Sequence, residues 1–67
     1  MITEIGIVAG EVWHYLENNK EVENLDNILK NIDKPGDIIL MSIGWLAREG
    51  HVLLAGEAPD YRVSLRK

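Results

Sequence analysis

Cysteine is absent from this 67-residue chain, and histidine is scarce, with only His14 and His51. The first absence excludes disulfides, iron–sulfur clusters and thiolate zinc sites together. The two histidines are too far apart in sequence for a metal-ligand motif. A chain of this size buries only about 60% of the surface that its unfolded form exposes, so it usually needs a disulfide, a metal or a partner chain. The sequence therefore favours oligomerisation and predicts no cofactor.

Motifs for membranes and for catalysis are also lacking. No apolar run approaches the roughly 20 residues needed to span a bilayer, and no basic segment of the kind that opens a secretory signal follows Met1. The glycine-containing stretch "GIVAG" has neither dinucleotide-binding nor P-loop spacing. The few hydroxyl side chains are not arranged with a histidine base. We therefore expect a soluble, cytoplasmic, non-enzymatic protein with no membrane partner and no small-molecule substrate.

Charge is distributed unevenly along the chain. The net charge is −4, and residues 1–33 carry two lysines against seven acids, whereas residues 34–67 carry five basic residues against four acids. An acidic protein has no general electrostatic attraction for a polyanion. Any contact with nucleic acid is therefore expected to be local and close to the C-terminus.

Hydrophobic periodicity predicts three helices. Apolar residues recur at helical spacing at Ile5, Val8, Val12 and Leu16, and again from Leu25 onwards. Pro35 and Gly36 place a tight turn between the second and third helices, which is the helix-turn-helix arrangement. The predicted segments are a helix over 2–18, a short strand over 20–22, and helices over 24–32 and 36–49.

The C-terminal third of the chain predicts a β-hairpin. "HVLLA" and the alternating "YRVSLRK" read as strands over 51–55 and 61–66, and the turn between them contains Gly56 and Pro59. Three helices followed by a hairpin wing form a winged helix-turn-helix. We therefore predict one α+β domain over residues 1–67, with a three-helix core, a short strand after the first helix and a C-terminal hairpin wing.

Two sequence blocks indicate a family. "IGIVAGEVW" over 5–13 and "IGWLAREG" over 43–50 resemble the "IG-x-x-AG-x-VW" and "LGWLAREG" blocks of DUF2582, a small winged helix-turn-helix family of unknown function. The resemblance covers roughly residues 5–56 and implies a winged-helix fold and dimers, without an activity. This chain departs from the family pattern before the second block, where "DKPGDIILMSI" is more apolar than the "SDKELYLAL"-like entry of other members.

The third helix carries more apolar residues than one core can take. At 100° per residue, Ile39, Ile43 and Leu46 cluster on one face, while Met41, Gly44 and Trp45 lie on the other with Ile38 and Leu40 on its flanks. In a DNA-binding winged helix this outer face enters the major groove and needs polar and basic side chains. The only cation that this face offers is Arg48.

Three interpretations of this outer face remain open. It is extra core beneath the first helix or the wing, an exposed patch that seals a dimer, or a groove-inserting surface. An outward Leu53, expected if Val52 and Leu54 face the core, favours the patch. Our preferred hypothesis is a homodimer, or docking to another protein, through an interface formed by Ile38, Met41, Trp45, Arg48 and Leu53.

The alternative hypothesis is a dimeric DNA-binding regulator. The second wing strand is basic and is not balanced by acids, so it could contact phosphates. A solvated strand face next to a charged terminus is the simpler explanation of the same residues. The residues expected to contact nucleic acid under this alternative are Arg48, Arg62, Arg66 and Lys67.

Overall fold

The fold is a winged helix-turn-helix. A computed structural model describes residues 1–19 and 21–66. Three helices and a three-stranded antiparallel sheet follow in the order α1, β1, α2, α3, β2, β3, which confirms the predicted α+β class. Their bounds are α1 Ile2–Asn18, β1 Val22–Asn24, α2 Leu25–Asn31, α3 Gly36–Arg48, β2 Val52–Ala55 and β3 Arg62–Leu65.

The core lies between α1, α3 and one face of the sheet. The predicted inner face of α3 is buried, with Ile39 at 0% and Ile43 at 4% exposure, and it packs chiefly against α1. Ser42 is also fully buried, and its hydroxyl donates to the backbone oxygens of Ile5 and Ile38 at 3.1 and 2.7 Å. Because a buried hydroxyl without a partner is costly, these bonds let α3 place a serine against α1.

The sheet has the strand order β1-β3-β2, so β3 is central and β1 and β2 are its two edges. Val63 of β3 lies opposite Glu23 of β1 and Leu54 of β2. Val63 and Val52 are almost completely buried. Because side chains alternate between the faces of a strand, these two valines mark the face that covers the helices.

The first strand is displaced from its predicted position. It occupies Val22–Asn24, so the prediction of a strand over 20–22 was wrong. Glu21 has a positive φ of 63°, and its amide bonds the backbone oxygen of Leu16 at 2.9 Å, which closes the end of α1. The left-handed region lies outside the β region, so the strand begins at Val22, although the backbone oxygen of Glu21 still accepts a bond from the amide of Leu65 at 2.8 Å. Lys20 lies outside the described residues.

The first helix has its predicted bounds, and the other two helices and the two wing strands were each predicted one residue too long at one or both ends. The second helix begins after Asn24, and the third ends at Arg48. At the wing turn, Gly56 has φ 91°, and a Cβ there would collide with the carbonyl oxygen of Asp60. The turn therefore requires glycine at this position.

Candidate interaction surface

The outer face of α3 is apolar and uncovered. Leu40, Met41 and Trp45 are 47%, 39% and 45% exposed. Between them lies Gly44, where an added Cβ would meet nothing within 4 Å. Asp37 and Arg48 at the ends of the helix are exposed and are the charged residues of this face. We call Leu40, Met41, Gly44 and Trp45 the α3 patch.

One residue of the predicted interface belongs to the core instead. Ile38 is 9% exposed and is part of the buried apolar cluster, so its assignment to an exposed surface was wrong. Its backbone oxygen accepts the Ser42 hydroxyl, which also bonds Ile5 of α1. Ile38 therefore lies one turn before Ser42 on the side of α3 that faces α1.

A groove of about 370 Å³ runs along the α1 side of the α3 patch. Trp13, Trp45 and His51 form its walls, and the rings of Trp45 and His51 lie 6.4 Å apart. Gly6 and Gly10 of α1 also line it, and a Cβ on either would meet nothing within 4 Å. These glycines therefore do not serve a close approach by another helix of the same chain.

A second groove, of about 200 Å³, lies between the α3 patch and the wing. Its lining is almost entirely apolar, and Leu54 at 54% and Tyr61 at 41% exposure contribute to it. Leu53 was expected to point outward on the condition that Leu54 faces the core, but Leu54 is not buried. Its side chain is on the helix-facing side of the sheet, because it lies opposite Val63, but it extends past the core into this groove.

Leu53 is exposed as expected, yet it does not lie beside α3. Its neighbour across the ladder is Ser64, and the next neighbour in that row is Val22. That row is on the face of the sheet turned away from the buried Val63. The predicted interface residues therefore fall into three places: Met41, Trp45 and Arg48 on α3, Ile38 in the core, and Leu53 behind the sheet.

Three of the predicted phosphate-contacting residues, Arg48, Arg62 and Arg66, are exposed. Arg62 begins β3, Arg66 directly follows that strand, and Arg48 ends α3. A guanidinium nitrogen of Arg66 lies 3.3 Å from the position that a Cβ on Gly50 would take, so Arg66 packs over the turn that follows α3. A cation at that place is favourable for the helix dipole. Lys67 lies outside the described residues.

Most of the side-chain hydrogen bonds involve residues of α1, β1 and α2 or of the turns that adjoin them. The Glu23 carboxylate accepts bonds from the Tyr15 hydroxyl at 3.3 Å, the Asn27 amide at 3.0 Å and the Asn24 backbone at 3.0 Å. Partial burial, and then the Glu23 charge, raise the pKa of Tyr15. A 2.8 Å bond from Lys34 to Glu11 raises the pKa of the lysine.

Neither a metal centre nor a membrane span is found in residues 1–19 and 21–66. No group of three histidine, aspartate or glutamate side chains could hold an ion in this part of the chain. None of its helices is long and apolar enough to cross a bilayer. The surface that stands out among the described residues is therefore the α3 patch with its two grooves.

Sequence reasoning did not identify the wing-side groove or the edge position of β2. Tyr61 was assigned to the second wing strand, and no role was given to Leu54 as a surface residue. The signal that could have found them is the run "VLLA", in which three consecutive large apolar residues cannot all be buried by one face of a strand.

The fold and the apolar α3 define a small winged helix-turn-helix protein. The model of the winged helix-turn-helix domain family DUF2582 matches residues 1–65, and the chain belongs to this family. It is also similar to an uncharacterised protein of Methanocaldococcus jannaschii, with 31% identity over 64 residues that cover 94% of this chain and 91% of that protein. Both findings agree with the resemblance seen in the sequence blocks.

Proposed function

We propose that this winged helix is a non-enzymatic interaction module that self-associates through the α3 patch. The observation that carries the proposal is the exposure of Leu40, Met41 and Trp45 around a glycine with open space above it. Contiguous apolar surface on a small soluble domain usually marks an interface. The glycine lets another backbone or side chain approach α3 closely.

Size supports a second copy as the occupant of the patch. A chain of 67 residues without cysteine has neither a disulfide nor a large core to stabilise it. Burying aromatic and aliphatic side chains against a copy adds the missing apolar burial, at about 25 cal/mol per Å². A two-fold dimer would use the same patch on both chains.

Charge also favours protein over DNA as the partner. The face that would enter a DNA groove carries Asp37 at its beginning and Arg48 at its end, with apolar residues between them. Base and phosphate contacts need several basic or amide side chains at these positions. Arg62 and Arg66 on the wing would give only weak binding that is sensitive to salt.

Sedimentation equilibrium from micromolar to millimolar concentration tests the proposal. We expect the wild-type chain to dimerise and Trp45→Glu to be monomeric, because a charge at the centre of an apolar interface is desolvated without a partner. Ile7→Glu is the matched control, since Ile7 is an exposed residue of α1 (58%) that lines neither groove. This control should dimerise like the wild type.

A wild-type monomer over the whole concentration range would refute the proposal. Salt-dependent binding of a duplex, lost in an Arg62→Ala, Arg66→Ala double variant, would favour the DNA-binding alternative instead. Retention of circular dichroism in Trp45→Glu is required for the comparison, because it shows that the helices remain folded.

A further inference from the structure

The outer edge of the sheet at β2 is open. β2 pairs with β3 on one side only, and the structure shows no further strand beside it within the described residues. Its sequence is Val52–Ala55, without charge or proline. Uncharged edge strands of this kind readily pair with another chain, and most proteins protect them.

The pattern of backbone bonds shows which groups face this edge. The amide of Arg66 donates to the backbone oxygen of His51 at 3.1 Å, which makes those two residues a hydrogen-bonded pair. Bonded and non-bonded pairs alternate in an antiparallel ladder, so Leu53 and Ala55 also bond β3. On the opposite side of β3, the bonds from Leu65 to Glu21 and from Leu25 to Tyr61 fit the same alternation.

It follows that the amides and carbonyls of Val52 and Leu54 point to the open edge. Within the described residues, no group outside the β2–β3 ladder forms a backbone hydrogen bond with Val52 or Leu54. Two donors and two acceptors are therefore displayed at alternate positions, with Leu53 between them. This arrangement is symmetric about Leu53, which matters for the choice of partner.

We propose that a second copy of the chain pairs with this edge, β2 against β2 in antiparallel orientation, with a two-fold axis beside Leu53. In that register Val52 bonds Leu54 of the other copy and Leu54 bonds its Val52, so one pairing satisfies all four groups on each chain. The result is a continuous six-stranded sheet. The proposal deepens the proposed self-association and rests on it, because it names the edge by which the copies meet.

The register explains why Leu53 is exposed. Opposite residues of a non-bonded antiparallel pair have Cα atoms about 4.5 Å apart, so the two Leu53 side chains would touch on the outer face of the joined sheet. Leu53 is 53% exposed in the single chain, and contact with its copy would bury it. Since β2 carries no charge, the copies can approach at this edge despite a net charge of −4 on each chain.

Interface size connects the edge with the α3 patch. A stable interface buries about 800 Å² per partner, which is close to a fifth of the 4547 Å² of surface on this chain. A four-residue strand pair alone is too small for that. Because α3 packs against β2 as well as α1, joining the β2 edges brings both α3 helices to the same side of one sheet, near the axis.

Disulfide trapping tests the register, because the natural chain has no cysteine to interfere. The test compares Leu53→Cys with Ala55→Cys, two exposed positions on the same face of the same strand. A disulfide needs Cα atoms about 4.4–6.8 Å apart. The two copies of residue 53 meet that condition, whereas those of residue 55 would be offset by four residues, or about 14 Å.

Under mild oxidation we expect Leu53→Cys to form a covalent dimer at least about tenfold faster than Ala55→Cys. Equal rates would overturn the register, since they would reflect random collision. No crosslink at residue 53, together with a wild-type dimer in sedimentation, would overturn the edge pairing and leave the α3 proposal standing. No crosslink and a monomeric wild type would overturn both. Circular dichroism of the reduced variants verifies that each is folded.

Discussion

The two edges of the three-stranded sheet differ in their protection. At β1, the side chain of Glu23 accepts a bond from the backbone amide of Asn24 at 3.0 Å, and α2 begins at the next residue. At β2, four uncharged residues end in the wing turn, and the outward amides of Val52 and Leu54 have no such side chain beside them. One edge is thus capped by an acid and a helix, and the other is left able to pair.

This difference indicates where a partner chain can add. Charged side chains and short length protect edge strands against pairing, and β1 has both features. The charge distribution agrees, because the acidic first half of the chain contains β1 and the nearly neutral second half contains β2 and α3. The side of the molecule with the open edge is also the side with the α3 patch. We therefore assign β1 to folding and β2 to association.

The largest expected effect distinguishes the α3 residues that stabilise the fold from those that we assign to association. Ile39→Ala should lower the free energy of unfolding by about 2–5 kcal/mol, because it removes a fully buried side chain and leaves a cavity. Leu40→Ala, one residue further, should change the free energy of unfolding of the monomer by no more than about 0.5 kcal/mol. Urea titration at a concentration where the chain is monomeric measures both. Equal losses would mean that the outer face belongs to the core.

The next effect concerns the two edges directly. Leu53 and Val22 lie in the same row on the outer face of the sheet, at 53% and 47% exposure, one on each edge strand. Leu53→Lys should raise the dimer dissociation constant at least about tenfold, or about 1.4 kcal/mol, since like charges would lie opposite each other. Val22→Lys should leave it within about twofold. Sedimentation equilibrium provides the constants, and similar losses in both variants would contradict the assignment of β2.

The smallest effect concerns the protected edge and pH. Partial burial and the Glu23 carboxylate raise the pKa of Tyr15, so the folded chain holds the tyrosine proton more tightly than the unfolded chain. The stabilisation is complete below the ordinary tyrosine pKa of about 10 and is lost as pH rises through the folded pKa. Tyr15→Phe should abolish this alkaline loss, and Glu23→Gln should reduce it.

The variants are compared by denaturant titration at two pH values, about one and a half units below and above the ordinary tyrosine pKa of about 10. The difference in unfolding free energy between the two pH values is the quantity of interest. If the unfolding free energy of the wild type and of Tyr15→Phe falls by the same amount at high pH, Tyr15 is not responsible for the alkaline loss of stability. The other cause of the raised pKa, burial, remains in Glu23→Gln, which is why only a reduction is expected there.

Local patterns were sufficient to predict the helices and most of the core. The helical spacing that selected Ile39, Ile43 and Leu46 depends on the geometry of one helix, and all three are buried. Ile38 was misplaced because the width of a buried face depends on the neighbouring helix. Here the bonds of Ser42 hold α3 against α1, which turns Ile38 inward.

Features that depend on distant pairing could not be predicted. The strand order β1-β3-β2 joins residues some 40 positions apart, so the sequence does not show which strand is an edge. The shift of β1 results from the left-handed Glu21, a conformation that glutamate rarely adopts and that no local signal announced. Leu53 was predicted to be exposed, but its position on the outer face of the sheet depends on the pairing register, which the sequence does not show.

Amide hydrogen exchange at two protein concentrations tests the central claim most directly. Leu53 bonds β3 within one chain, so its protection should depend little on concentration, whereas Val52 and Leu54 should become protected only when the chain dimerises. Wild-type protein compared with Leu53→Lys at the same concentrations provides the control. We expect a concentration-dependent slowing of amide exchange at Val52 and Leu54 that the lysine variant lacks. Exchange at these two amides that stays fast in a sample shown to be dimeric would contradict it.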